Sequence, residues 1–143
     1  MDHPNSDLLR RAWAAYDRGD EEGFAACLTE DWREYDSAGN DATLDDERET
    51  MRQHRIAFPD KHTEILRIVA DDEFVACHGR TSATHTGQYL DLAPTGRTVH
   101  VEEMMFNRIR EGKLCETWAL VEGKGFYEQL TGRQPPRGLD NLA

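Results

Sequence analysis

Two polar residues interrupt a narrow, apolar strand face in the last third of the chain, and they are the first candidates for chemistry. Along Thr98–Arg110, one side of the predicted strand alternates through Val99, Val101, Glu103, Met105 and Asn107. A glutamate among such neighbours is poorly solvated in its charged form, so we expect its pKa to rise toward neutrality. Glu103 is therefore the candidate acid/base group for moving a proton beside a carbonyl. A structural ion pair, or a solvent-facing strand, is the alternative.

Other side chains could bind an oxygen atom of a substrate or transfer a proton. The Asn107 amide could polarise a carbonyl, or it could satisfy a loop backbone instead. Tyr16 and Tyr35 could each bind a substrate oxygen or fill the core with a tethered hydroxyl. His54 is a candidate general base near neutral pH, with a hydrogen-bonded structural histidine as the alternative.

The predicted strands supply a wall for these groups. A second strand, Leu114–Glu122, follows the tight turn at Glu111 and Gly112, and its narrow face includes Thr117 and Ala119. Small residues on one face of a curved sheet leave volume that a close-packed protein tolerates mainly where a ligand binds. We therefore expect Met105, Thr117 and Ala119 to face a ligand.

Apolar residues at helical spacing precede the predicted strands. Residues 6–18 form a predicted amphipathic helix that ends at Gly19 and buries Trp13 and Tyr16. A shorter helix starts at Asp20, a brief strand covers 31–36, and a third helix covers 44–58 with Thr50 and His54 on one side. The acidic run 45–47 is expected in its exposed first turn. Helices followed by a meandering antiparallel sheet predict an α+β fold, with three helices on the concave face.

Composition restricts the partners. A formal net charge of −11 argues against nucleic acid and anionic membranes, and no segment has the length of a membrane span. Residues 1–10 also lack the apolar core of a signal peptide, so we expect a soluble, cytoplasmic protein. The three scattered cysteines are expected to be buried, reduced thiols, and no motif predicts a metal or another cofactor. Residues 1–143 suit one domain, with 132–143 an exposed tail. The bulky outer sheet face, with Phe106 and Trp118, predicts a homodimer.

The chain resembles the SnoaL-like polyketide cyclases, or ester cyclases, of the NTF2-like superfamily. The matching segments follow the order and spacing of that family: Ala57-Phe58-Pro59-Asp60, Thr84-His85-Thr86-Gly87, Pro94-Thr95-Gly96-Arg97, Arg108-Ile109-Arg110-Glu111-Gly112-Lys113-Leu114, Glu116-Thr117-Trp118 and Gln129-Leu130. The resemblance implies a cone-shaped α+β barrel and cofactor-free acid/base chemistry on hydrophobic substrates, such as ring closure of polyketides.

The functional residues of that family match this sequence only in part. The position of its essential aspartate corresponds to Ala119, and its glutamine and histidine positions correspond to Glu103 and Met105. Tyr16 matches a pocket aromatic residue, and Glu34 or Tyr35 matches a polar pocket residue. Two hypotheses follow: a cofactor-free cyclase, isomerase or hydratase/dehydratase acting on a hydrophobic carbonyl compound, and a non-catalytic module that binds an apolar small molecule.

Overall fold

The structure is a computed structural model that describes residues 2–37 and 39–133. Helices dominate the first half of this part and strands the second. The elements are α1 (Pro4–Arg18), α2 (Glu21–Ala25), β1 (Leu28–Tyr35), β2 (Asp41–Thr43), α3 (Leu44–Ala57), β3 (His62–Ala70), β4 (Phe74–Thr84), β5 (Thr98–Arg110), β6 (Lys113–Glu122) and α4 (Phe126–Thr131). The predicted α+β class is confirmed. Most of the predicted tail, from residue 134 onward, lies outside the described residues.

The six strands form one curved sheet in the order β2-β1-β6-β5-β4-β3. Neighbouring strands are antiparallel except β1 and β6, which are parallel. The sheet does not close on itself, so the barrel expected from the family resemblance is an open sheet with β2 and β3 at its edges. The short strand β2 was not predicted.

Alternation along β5 gives the sheet two different faces, as the sequence predicts. Glu103 and Asn107 are buried on the inner face, whereas Met104 and Phe106 are exposed on the outer face. β4 and β6 repeat this division, since Val75 and Ala119 are buried and Leu120 is exposed. The helices therefore cover the narrow face.

Helix α1 buries one stripe of side chains and packs against β3 and β4. It begins at Pro4, two residues before the predicted start, because a proline is tolerated in the first turn of a helix. The imidazole of His3 caps this end by accepting a hydrogen bond from the backbone N–H of Asn5. At the other end, Gly19 adopts a left-handed conformation.

The main core packs α1 and α2 against the sheet, and a second cluster of buried residues lies where α3, α4 and the β4–β5 connection meet. The Phe58 ring meets Tyr89 edge-on and Phe126 at a tilted angle, and all three rings contact His54. Gly87 fixes the connection against the end of α3, because a Cβ atom at that position would lie 1.8 Å from the carbonyl oxygen of Ile56. No helix among the described residues is long and apolar enough to cross a membrane.

Candidate active site

Three glutamates from three different elements are buried under the helices. Glu34 belongs to β1, Glu47 to α3 and Glu103 to β5, and their exposed fractions are only 3%, 1% and 5%. Charged side chains are seldom buried to this degree unless they are paired or functional. These carboxyl groups define the candidate site.

The prediction that the acidic run 45–47 is exposed holds for Asp45 and Asp46 but is wrong for Glu47, which is buried. A capping box at Thr43 and Asp46 fixes the start of α3, so that Asp46 faces solvent. Glu47 then lies one turn before Met51 on the stripe that faces the sheet. The spacing from Glu47 to Met51 and His54 was the sequence signal that could have revealed it.

Glu34, Glu47 and Tyr16 form one hydrogen-bonded group. The Tyr16 hydroxyl donates to Oε2 of Glu47 at 3.1 Å. Burial raises the pKa of Glu34 well above its ordinary value, and the neighbouring charge and hydrogen bond of Glu47 raise it further. Burial also raises the pKa of Glu47, while hydrogen bonds from Glu34 and Tyr16 oppose that change. Of the two carboxyl groups, Glu34 is therefore the one whose surroundings favour the protonated form more strongly.

Glu103 has no cation in direct contact within the described part of the chain, and its Oε2 receives no hydrogen bond there. Burial raises its pKa to about 7, against the attraction of the more distant Lys61 ammonium. The charges of Asp17 and Glu47 add to the increase. A carboxyl group with this pKa exchanges its proton readily near neutral pH.

A buried ion pair provides a positive charge that acts on Glu47 and Glu103. Lys61 Nζ lies 3.2 Å from Asp17 Oδ1 and 4.3 Å from the centroid of the Tyr16 ring. Asp17 also accepts hydrogen bonds from the backbone N–H and hydroxyl of Thr63. The pair thus connects α1 to the start of β3 beside the acidic groups.

A small cavity of about 30 Å³ lies next to the Glu34–Glu47 pair. It can hold one or two water molecules, whereas ligand pockets usually measure several hundred Å³. The large hollow expected from the sequence is thus mostly filled by side chains. Trp13 lines this cavity and also a surface groove of about 630 Å³ between α1 and the start of β3.

Comparison with known proteins identifies the family. The family model for SnoaL-like polyketide cyclases matches residues 6–130. The chain belongs to the SnoaL-like polyketide cyclase family.

Solved structures place this SnoaL-like chain among similar folds. AclR of Streptomyces galilaeus, a proposed hydroxylase, is 26% identical, with a TM-score of 0.78 over 92% of this chain and 84% of AclR. IdmH of Streptomyces antibioticus, a proposed polyketide cyclase, is 22% identical, with a TM-score of 0.74 over 90% of this chain and 99% of IdmH. TsrD of Streptomyces laurentii is 20% identical, with a TM-score of 0.76 over 93% of this chain and 99% of TsrD. No curated protein sequence matches the chain.

The structure places six of the predicted site residues of this SnoaL-like chain at the cavity wall: Trp13, Tyr16, Glu34, Met105, Asn107 and Thr117. Asn107 is engaged with the sheet, because its amide donates to the Val75 carbonyl and accepts from the Thr117 hydroxyl. This geometry corresponds to the structural alternative for Asn107. Glu103 and Ala119 are buried in the protein interior but are not part of the cavity wall.

Three predicted residues lie away from the cavity. The register of β1 turns Glu34 inward and Tyr35 outward, where the Tyr35 ring stacks on Trp118. Thr50 is half-buried, and its hydroxyl donates to the Asp46 carbonyl of its own helix. His54 lies in the second cluster, and neither ring nitrogen has a hydrogen-bond partner in the described part of the chain. In the same part, no group of three or more metal-ligating side chains could hold a metal ion.

Proposed function

We propose that this SnoaL-like chain is a cofactor-free enzyme that moves a proton beside the carbonyl of a hydrophobic compound such as a polyketide. The reaction is a cyclisation, an isomerisation, or a hydration or dehydration, each of which begins or ends with such a transfer. Glu103 is the group that removes and returns the proton. The family membership supports this class of reaction.

The observation that carries the proposal is the state of Glu103. Its carboxyl group is almost fully buried, one oxygen lacks a donor among the described residues, and its pKa is about 7. A base is most effective when its pKa lies near the working pH, because it is then both ionised and basic enough. A purely structural glutamate would gain stability from a partner, and no direct partner is found for this one within residues 2–37 and 39–133.

Substrate access requires movement of the aromatic wall. A cavity of about 30 Å³ does not admit a polyketide, but Trp13 stands between this cavity and the larger surface groove. Displacement of the Trp13 indole would join the two spaces. We therefore assign the groove as the entrance and Trp13 as its inner wall.

Proton exchange can test the enzyme without knowledge of its natural substrate. In heavy water, a hydrophobic ketone such as 2-tetralone loses the hydrogen atoms beside its carbonyl, and proton NMR measures the rate. We expect the protein to accelerate this loss, with a rate that rises as Glu103 ionises near pH 7. Glu103→Gln should lower the acceleration by on the order of 100-fold. Glu122→Gln, an exposed change on β6, is the matched control.

The proposal is wrong if 2-tetralone, 1-indanone and 2-acetylnaphthalene all exchange at the buffer rate, or if Glu103→Gln exchanges them as fast as the wild type. A non-catalytic module that binds an apolar ligand is the second candidate. The presence of Ala119 at the position of the family's aspartate favours it. Ketones that bind to the protein without accelerated exchange would support this second function.

The proposal includes a homodimer in the cytoplasm. Met104, Phe106 and Leu120 form an exposed apolar surface on the outer sheet face, which a second copy could cover. Cys27, Cys77 and Cys115 are buried free thiols, as is usual for a reducing compartment.

A further inference from the structure

The reaction proposed above uses Glu103 and leaves the Glu34–Glu47 pair without a role. We propose that Glu34 and Glu47 hold one proton between them, and that Glu34 delivers this proton to the carbonyl oxygen of a ligand in the adjacent cavity. This inference rests on the proposed function, since it supplies the acid for a ligand that reaches from the cavity along β5 to the Glu103 base. Glu103 lies two residues from the cavity-lining Met105 on the same face of that strand.

No cation among the described residues forms an ion pair that would balance the charge of the Glu34–Glu47 pair. Glu34 and Glu47 share a hydrogen bond, and no lysine, arginine or histidine within residues 2–37 and 39–133 forms an ion pair with either of them. Lys61 is already paired with Asp17. Two carboxylates in contact inside a protein cannot both be ionised, because each charge opposes the other and burial disfavours both. One of the two therefore retains a proton at neutral pH.

The hydrogen bonds around the pair favour one of the two carboxyl groups as the holder of that proton. Glu47 accepts a hydrogen bond from the Tyr16 hydroxyl at 3.1 Å, which favours its ionised form. Glu34 has no comparable donor, and its Oε2 receives no hydrogen bond in the described part of the chain. The proton thus resides on Glu34, with Glu47 as its acceptor and Tyr16 as the group that holds Glu47.

The Glu34–Glu47 pair lies beside the space that a ligand would occupy. Glu34 and Glu47 both line the cavity, together with apolar side chains such as Trp13 and Met105. The polar side chains of Asn107 and Thr117 on the same wall are bonded to each other. A neutral carboxyl group on an apolar wall favours a neutral carbonyl or enol oxygen. The buried negative charge of Glu47 excludes a carboxylate at this end of the ligand.

Glu103 as the base and Glu34 as the acid complete one balanced step. Glu103 takes a proton from the carbon beside the carbonyl, and the electron pair of that C–H bond forms the C=C bond of an enol. The electron pair of the C=O π bond moves to the oxygen and binds the Glu34 proton, and Glu34 keeps the electrons of its O–H bond. One negative charge therefore moves from Glu103 to Glu34. Glu34 then faces ionised Glu47, and their repulsion favours return of a proton to Glu34 when the new bond or the ketone forms.

The shared proton can be tested without turnover. Glutamate labelled at its side-chain carboxyl carbon reports ionisation by carbon NMR, and Glu34→Gln and Glu47→Gln assign the signals. We expect the pair to titrate in two coupled steps, with the upper step above the ordinary range of glutamate. In Glu47→Gln the upper step should move to lower pH. Independent single titrations near ~4.3 for both residues would overturn the inference.

The delivery of the proton is tested with the ketone exchange assay. Glu34→Gln should slow exchange by at least 10-fold while ketone binding persists, because the amide is a weaker acid of similar shape. Glu49→Gln on the exposed side of α3 and Glu30→Gln on the exposed side of β1 are the matched controls. Circular dichroism and thermal unfolding confirm that each variant folds.

The outcomes separate the two proposals. If Glu103→Gln slows ketone exchange and Glu34→Gln does not, proton delivery by Glu34 is wrong and the proposed function still stands. Absence of wild-type exchange would overturn the proposed function and the delivery together, while the titration would still decide whether the two glutamates share a proton.

Discussion

Burial of Glu103 makes the stability of the protein depend on pH in an unusual direction. Between its ordinary value of 4.5 and its folded value of about 7, the folded protein binds the proton and the unfolded chain does not. Stability is therefore highest below pH 4.5 for this group and falls as the pH rises to 7. The shift corresponds to about 3 kcal/mol.

Glu103→Gln should remove this pH dependence. The wild type should lose stability from pH 5 to pH 8 and the variant should not. The free energy of unfolding of the variant relative to the wild type should therefore be higher at pH 8 than at pH 5, as measured by urea unfolding at both values. Glu122→Gln, which is exposed, should follow the wild type. An equal pH dependence in Glu103→Gln and the wild type would show that Glu103 ionises normally.

Burial of His54 should make the protein less stable at low pH, which is opposite to the effect of Glu103. Burial lowers the pKa of its imidazole well below 6.5, with a smaller contribution from Lys61. Below pH 6.5 the imidazole is protonated in the unfolded chain and stays neutral in the folded protein, so the stability of the protein decreases as the pH falls. His54→Leu should therefore lose less stability than the wild type between pH 6.5 and pH 5 in urea unfolding. His62→Gln, which is exposed, is the control, and an unchanged acid response would contradict the assignment.

At the residue scale, alternation along a strand was sufficient to place Glu103 inside, because strand side chains have only two directions. It could not decide between Glu34 and Tyr35, since β1 shifts register against β6 between Leu28 and Arg33. The burial of Glu47 was not predicted, because an acidic residue in the first turn of a helix is stabilised by the helix dipole even when it is exposed. The pairing of Glu34 with Glu47 joins two elements and has no local sequence signal.

At the element scale, the Asp17–Lys61 pair connects α1 to the start of β3. Removal of Lys61 leaves a mostly buried aspartate without its cation, so Lys61→Met should destabilise the protein by about 3 kcal/mol in urea unfolding. The same change should raise the pKa of Glu103, because the Lys61 charge lowers it.

The double variant Asp17→Asn/Lys61→Met is the matched control for this pair. It removes both charges, so it should be less destabilising than Lys61→Met alone. Arg52→Met, which breaks an exposed pair with Glu21, should have a smaller effect than Lys61→Met. Equal stability of Lys61→Met and the wild type would show that the pair contributes nothing.

Gly87 tests the connection between the β4–β5 segment and α3. A methyl group at this position would overlap the Ile56 carbonyl, so Gly87→Ala should cost about 2 kcal/mol or more in urea unfolding. Gly96→Ala is the comparison within the same connection, because a Cβ atom there meets no atom within 4 Å and only its φ of +71° opposes the change. Equal effects of the two changes would exclude the close approach at Gly87.

The elements themselves were largely predictable, because long periodic runs such as α1 and β5 leave few alternatives. The three residues of β2 were too few for a pattern to show. Closure of the sheet could not be judged either, since it depends on how the two edge strands approach each other in space. The open sheet therefore appears only in the structure.

At the scale of the whole molecule, the outer sheet face predicts the oligomeric state. Met104 and Leu120 are each 56% exposed and pair across β5 and β6. Met104→Lys/Leu120→Lys should convert the proposed dimer to a monomer in light scattering coupled to size-exclusion chromatography, because the charges cannot be buried without partners. Ile56→Lys, at an equally exposed apolar position on α3, should leave the dimer intact. A monomeric wild type would refute the dimer.

The open sheet also leaves β3 with an edge that pairs with no other described strand, and such edges invite further strands from other molecules. Two features of β3 discourage such growth. Its pairing with β4 is broken by a bulge between Ile65 and Arg67, and Glu64 and Arg67 place charges along it. With a net charge of −11 on every copy, these features favour a protein that stays dispersed at high concentration and does not assemble into fibres.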